Sequence, residues 1–208
     1  MFKKLMLAGM AIAAFAAFVL PATASASPHL TEGVTPVPVG AAIQGVNTGI
    51  TKFTGAFNVE CNSAVLKGTV TKNSGTKIEG TIPVGSAVFT GTGTGGDCTS
   101  ALGSTKVTVN SELCLASNAA PADTFAVTGC EGKAVVFTLE ITGTGPCKYS
   151  TATVNGTYTT NVAPATVNVS EQEAKKLEGG FFCPSSGKLD MDFDLYTNNA
   201  EKAALIIT

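Results

Sequence analysis

The chain has no arginine, no tryptophan and no Cys-x-x-Cys pair, and it has one histidine among 208 residues. Each shortage removes a class of function. Proteins that grip nucleic acid neutralise phosphates with clustered Lys and Arg. Here all 13 basic side chains are lysines, they are scattered, and beyond residue 26 eleven of them face fifteen carboxylates. Nucleic acid is therefore not an expected partner, and the same balance disfavours an anionic membrane surface. Without tryptophan, and with only Tyr149, Tyr158 and Tyr196 as tyrosines, the chain offers few flat faces for stacking a sugar. The lone His29 follows a proline, and no Gly-x-Ser-x-Gly elbow occurs, so a Ser-His-Asp triad lacks both its base and its nucleophile in the usual setting. After the first twenty positions no apolar run is long enough to span a bilayer, so no membrane span is expected once that segment is removed.

What is present begins with export. Lys3 and Lys4, an apolar stretch over 5–20, Pro21 and the small residues Ala22-Thr23-Ala24-Ser25-Ala26 have the three zones of a cleavable signal peptide. Residues 1–26 are read as that leader and 27–208 as one exported β domain, secreted or held at the cell surface. Cys61, Cys98, Cys114, Cys130, Cys147 and Cys183 all lie in this domain. An even number of cysteines bound for an oxidising compartment predicts three disulfides. Six cysteines allow 15 pairings and the sequence does not choose among them. The expected pairing joins neighbours in sequence: Cys61 with Cys98, Cys114 with Cys130, Cys147 with Cys183.

Apolar side chains alternate with polar ones in Val135, Phe137, Leu139 and Ile141, and again in Leu189, Met191, Phe193 and Leu195. That period of two marks half-buried strands. Asn73-Ser74-Gly75, Asn155-Gly156 and Ser185-Ser186-Gly187 read as turns between them. The pattern predicts an all-β fold, an antiparallel β-sandwich of Ig-like or jelly-roll style. One short helix is allowed near 171–178, where Ser170-Glu171-Gln172-Glu173 fits a capping box and Gly179-Gly180 a stop. Ala64–Asn73 aligns without gaps onto Ala152–Asn161, each copy a few residues after a cysteine. This suggests pseudo-repeat halves at 55–117 and 124–197, the alternative being chance matching of Thr/Gly-rich sequence.

Two motifs carry a chemical suggestion. Gly91-Thr92-Gly93-Thr94-Gly95-Gly96 satisfies the dinucleotide pattern, but strand-forming residues follow where a helix should receive the pyrophosphate, so a glycine-rich turn is expected. Asp190, Asp192 and Asp194 would share one face of a strand, and Glu201 is the twelfth position counted from Asp190, as in a calcium-binding loop. The sixth position, however, is Leu195 rather than the glycine that such a loop needs. These aspartates are a speculative metal site, with Ca²⁺ as the candidate ion and a solvated, aggregation-resisting face as the alternative.

The stretches Cys147-Lys-Tyr-Ser150, Asn155-Gly-Thr-Tyr-Thr-Thr160, Val169-Ser-Glu-Gln-Glu173 and Leu177-Glu-Gly-Gly-Phe-Phe-Cys-Pro-Ser-Ser-Gly-Lys-Leu-Asp-Met191 carry a resemblance. The chain resembles a family of secreted, six-cysteine, β-rich proteins of soil actinobacteria, and the likeness covers most of the exported region. It departs at Glu112-Leu113, where the family often has Pro-Trp before the cysteine. The resemblance implies export and a cysteine frame; the family brings no assigned activity with it. The expected function is a non-catalytic extracellular or cell-surface protein, structural or adhesive, self-associating or meeting a surface partner through strand edges such as Val34–Val39 or 203–208. A secreted small-ligand or Ca²⁺-binding module is the alternative, and a carboxylate-dependent hydrolase the third reading.

Overall fold

A computed structural model describes residues 28–74, 77–118 and 122–208; the expected leader lies outside these described residues. Apart from two single-turn 3-10 segments, Thr94–Gly96 and Cys130–Gly132, the regular elements described are all strands. A short hairpin, β1 (Leu30–Glu32) and β2 (Thr35–Pro36), precedes eight long staves, most of them interrupted once or twice. The first stave is β3 (Ala42–Asn47) with β4 (Thr51–Thr54), and the second is β5 (Val59–Cys61) with β6 (Ser63–Ser74). The third is β7 (Lys77–Ile82) with β8 (Ala87–Thr90) and β9 (Cys98–Ser100), and the fourth is β10 (Gly103–Val109) with β11 (Leu113–Ser117). Then come β12 (Thr124–Gly129) with β13 (Val135–Ile141), β14 (Gly145–Thr151) with β15 (Val154–Tyr158), the continuous β16 (Thr166–Glu178) and β17 (Ser186–Thr197), and last β18 (Leu205–Ile207).

Each stave pairs antiparallel with the next one in the chain, and β17 returns to pair with β3 and β4. The circuit is closed, with β8 the one stave segment paired on a single side, to β6, so little free edge is left along the staves. The all-β, antiparallel, sandwich-like architecture is the one expected from the alternating pattern. Its strand order is a simple meander, in contrast to the long crossings of an Ig-like or jelly-roll connection, and the two faces meet at both sides. Eight strands enclose an interior wide enough for packed side chains or one small ligand.

The interior has two tiers. Towards one end, Phe53, Phe137 and Tyr149 pack ring on ring with centroids 4.7 to 5.7 Å apart, beside Val59, Leu139 and Ile141. Towards the other, Val70, Ile82, Phe125, Val127, Val154 and Val169 form a second cluster. The sheet β18-β1-β2 closes this second end, burying Leu30, Leu205 and Ile207 in the same cluster. Asn73 fastens that cap. Its side-chain oxygen accepts the Leu30 N–H at 2.8 Å, and its amide donates to the Leu30 and Val37 carbonyls at 2.7 and 2.8 Å. His29 belongs to the cap as well, exchanging backbone hydrogen bonds with Thr208.

Three local readings of the sequence are corrected. The stretch 171–178 is the second half of β16, not a helix. A one- or two-turn helix carries a costly nucleus, whereas this segment has ladder partners on both sides, β17 and β14. The residues of the capping box mark a bulge instead: the register shifts between Val169 and Gln172, Glu171 takes φ 50°, and its N–H donates to Asp190 at 2.7 Å. Asn155-Gly156 is not a turn but the middle of β15, where Gly156 lies opposite Phe125. A Cβ there would sit 2.5 Å from the Phe125 ring, and one on Gly187 would sit 2.2 Å from the Phe53 ring. Both glycines leave room for an inward phenyl group, and Gly187 is likewise in a strand rather than in a turn.

The disulfides are Cys61–Cys98, Cys114–Cys130 and Cys147–Cys183, with no free cysteine among the described residues. Ala64–Asn73 and Ala152–Asn161 fall on the second and sixth staves, four apart on the circuit. The bridges that start beside them close loops of similar length, 37 and 36 residues.

Replacing Cys147 and Cys183 together by serine removes closure of a 36-residue loop and is expected to cost about 4 kcal/mol of unfolding free energy, measured by urea denaturation. Asn73→Leu is expected to leave the staves paired and to speed amide exchange at Leu30 and Val37 by at least about tenfold, since about 1 kcal/mol is lost with each hydrogen bond removed.

Candidate functional site: apolar chambers inside the barrel

Alternation places one side chain in two inside each stave, and the inward positions are almost all aliphatic or aromatic. They do not fill the space they enclose. Two cavities of about 130 Å³ each lie within the barrel. The first is lined from all eight staves, among them Phe53, Val59, Val107, Val127, Val169 and Met191. The second lies under the cap, with Leu30 and Ile207 as its roof and Ile43, Val70, Ile78 and Leu195 in its walls. Leu66, Ile82, Leu115, Phe125, Val167 and Phe193 line both, forming a belt between a lower and an upper chamber.

Native interiors pack as densely as organic crystals. A residual void costs roughly 24 cal/mol per Å³, so filling a chamber of about 130 Å³ with apolar atoms is worth about 3 kcal/mol. Sites of this kind stay dry and take up small apolar guests: a chamber of about 150 Å³ lined by Leu, Ile and Phe admits benzene or xenon. Glycines contribute to the room in the upper chamber. Gly45, Gly68 and Gly80 are in its walls, and Gly68 cannot carry a side chain, since a Cβ would sit 2.5 Å from the Thr81 carbonyl.

The polar groups at the interior fall into two kinds. Most are committed: the Ser117 hydroxyl accepts the Ile78 N–H at 2.9 Å, and the Tyr149 hydroxyl donates to the Pro184 carbonyl at 3.2 Å. Thr51, at the start of β4 and in the wall of the lower chamber, is different. Its hydroxyl is buried without a hydrogen-bond partner, and no other side chain among the described residues is in that state. No protein-family model, curated protein or solved structure matches the chain.

The aspartates singled out in the sequence do share a face of β17, but they point away from this interior and at their neighbours on β16. Asp194 accepts the Thr166 hydroxyl at 2.8 Å, Asp192 accepts the Asn168 amide, and Asp190 accepts the Glu171 N–H. They form a ladder of cross-strand hydrogen bonds instead of converging. Among the described residues no group of three or more His, Cys, Asp or Glu side chains is placed to hold a metal ion, these three included. The Gly91–Gly96 stretch is a turn that leads through Thr94–Gly96 into β9, as its lack of a following helix predicts. The chambers themselves went unread in the sequence. Their signal in the sequence is the set of glycines at inward strand positions, Gly45, Gly68 and Gly80.

Burial pushes the Tyr149 hydroxyl up to about 12, against about 10 in an unfolded chain. Burial also raises Tyr158, with the Asp123 carboxylate adding to the effect. A phenol whose folded value is raised favours folding in full below pH 10, and that contribution is lost as the unfolded chain ionises first. Stability is expected to fall between pH 10 and pH 12, and Tyr149→Phe, followed by urea unfolding across that range, is expected to show a flatter decline.

Proposed function

We propose that this chain is an exported, non-catalytic binding protein whose closed barrel carries a small apolar molecule. The observation that carries the reading is the pair of adjoining chambers lined from every stave, in a sheet whose closure gives it an inside. Aliphatic and aromatic walls exclude water and hold a guest; they supply no proton and no nucleophile. The three disulfides agree with an oxidising destination, and no helix among the described residues is long and apolar enough to cross a membrane.

Carriage is favoured over adhesion through strand edges by the state of those edges. The staves close on one another, with only the short β8 paired on a single side, and the segments expected as free strands are each joined to β1, Thr35–Pro36 on one side of it and Leu205–Ile207 on the other. The exposed apolar side chains Phe181 and Phe182 sit on the loop between β16 and β17. That loop is held by the Cys147–Cys183 bridge and by the Lys176 ammonium, which donates to the Cys183 carbonyl at 3.0 Å.

The test is thermal unfolding of the oxidised protein with and without benzene or an uncharged apolar fluorophore. A guest present at 100 times its Kd is expected to stabilise by about 2.7 kcal/mol. Val127→Phe, which fills the lower chamber, is expected to abolish the shift with the melting temperature of the free protein unchanged or raised. A wild-type protein whose melting temperature no apolar compound moves would sink the proposal.

A further inference from the structure

We propose that the end of the barrel away from the cap is a docking face for an electrically neutral lipid bilayer, into whose surface it sinks Phe181 and Phe182. The face is built from outer loops and works whether or not the chambers hold a guest. Chain direction brings four connections to this end: 55–58, 101–102, 142–144 and 179–185. They meet around the rim. A Cβ on Gly55 would lie 3.5 Å from the Pro184 ring, and one on Gly103 would lie 3.7 Å from the Thr142 carbonyl. Ala56 and Ala101 line one surface hollow between the first two connections.

Phe181 and Phe182 are the two central residues of a turn that the Cys183 N–H closes on the Gly180 carbonyl at 3.1 Å. The Cys147–Cys183 bridge braces this turn, and the Lys176 N–H ties its far side by donating to the Ser185 carbonyl at 2.8 Å. Their side chains stand out from the barrel, 97% and 62% exposed, with the two rings edge to face at 5.8 Å. Water opposes the exposure of adjacent phenyl groups, and contiguous apolar surface on a folded protein marks a place of contact. A braced turn that keeps both rings out is an anchor organised in advance, so little ordering entropy is lost when it inserts.

Charge selects the kind of surface. None of the four connections contains a charged residue, whereas Asp123, Glu201 and Lys202 lie in connections at the capped end. Behind the uncharged rim the charges are opposed: Lys52 with Glu60 and Lys148 with Glu178, each at 3.2 Å, and Lys106 across the ladder from Glu140. Asp97 stands on the same flank as that last pair. Seating such a rim among headgroups strips no ion of its water. Nor does it hold the clustered Lys and Arg that anionic lipids attract. The face therefore fits zwitterionic lipid such as phosphatidylcholine. Two phenyl groups bury roughly 300 to 500 Å², short of the roughly 800 Å² that each partner of a stable protein pair contributes. A bilayer closes around a protruding tip without a matching hollow, which favours it over a second copy of this chain.

The experiment is flotation of the oxidised protein with phosphatidylcholine vesicles, with and without added phosphatidylserine, at low and high salt. The wild type is expected to float with phosphatidylcholine, and neither the anionic lipid nor salt is expected to change the bound fraction. Phe181→Ser combined with Phe182→Ser is expected to lower the partition coefficient at least about tenfold and to leave the melting temperature unchanged, since both rings stand in solvent. The chain has no tryptophan, so Phe181→Trp supplies a single reporter, expected to retain binding and to shift its emission to shorter wavelength on vesicles. Absence of flotation at millimolar lipid, or flotation undiminished in the double serine variant, overturns the proposal. So does binding that requires phosphatidylserine and is lost in salt. A dimer that the two serines abolish, with no flotation, assigns the face to a second copy of the chain and overturns it as well.

Discussion

Everything described depends on one set of backbone hydrogen bonds, those by which β17 returns to β3 and β4. Without them the eight staves would be an open, strongly twisted sheet with two raw edges and no enclosed space. With them every inward side chain faces seven other staves, and alternation along the chain becomes a distinction between inside and outside. β16 and β17 are suited to this role because they run uninterrupted past both tiers. Each therefore holds two shorter strands in line on its outer side, β15 and β14 for the one, β3 and β4 for the other. The aspartates of β17 belong to this seam. Their bonds to Thr166, Asn168 and Glu171 fasten the central pair of staves on the face that does not look inward.

The two ends of the barrel are closed by different means. The lower tier is closed by aromatic packing and by bridges: Tyr149 is wholly buried, its ring against Phe53 and Phe137, and Cys61–Cys98 and Cys147–Cys183 lie in the same cluster. The upper tier is closed by three short strands held by backbone hydrogen bonds and by the Asn73 side chain. Covalent bridges at one end and a small hydrogen-bonded cap at the other make a vessel that is stiff below and easier to open above. The exposed ion pairs, such as Lys188 with Glu171 and Lys133 with Glu131, add little to either end because water screens them.

Much of the fold was legible because strand alternation is a local signal. Val135 to Ile141 and Leu189 to Leu195 read as half-buried strands and are strands. The six cysteines read as bridges in an oxidised protein and form three. Closure was not legible, since it is a contact between residues near 45 and residues near 195 that no local pattern reports. Gly156, Gly187 and Ser170-Glu171 favour a turn or a helix start in isolation, whereas the pairing of neighbouring strands decides what they do. The Thr51 hydroxyl could not be found from the sequence at all, because threonine in a strand is ordinary and only the geometry of its surroundings leaves it without a partner.

The cap has a consequence for the order in which the molecule is completed. Its strands come from distant parts of the chain: Thr31 donates to the Ile206 carbonyl across 175 positions. All other neighbouring staves except the closing pair are adjacent in sequence, so their contacts are short-range and cheap in loop entropy, while β1 with β18 ranks among the most costly. A meander of this kind gathers its walls progressively and shuts its roof at the end. During that interval the apolar side chains that wall the upper chamber, Ile43, Val70 and Leu195 among them, stand open at that end of the barrel.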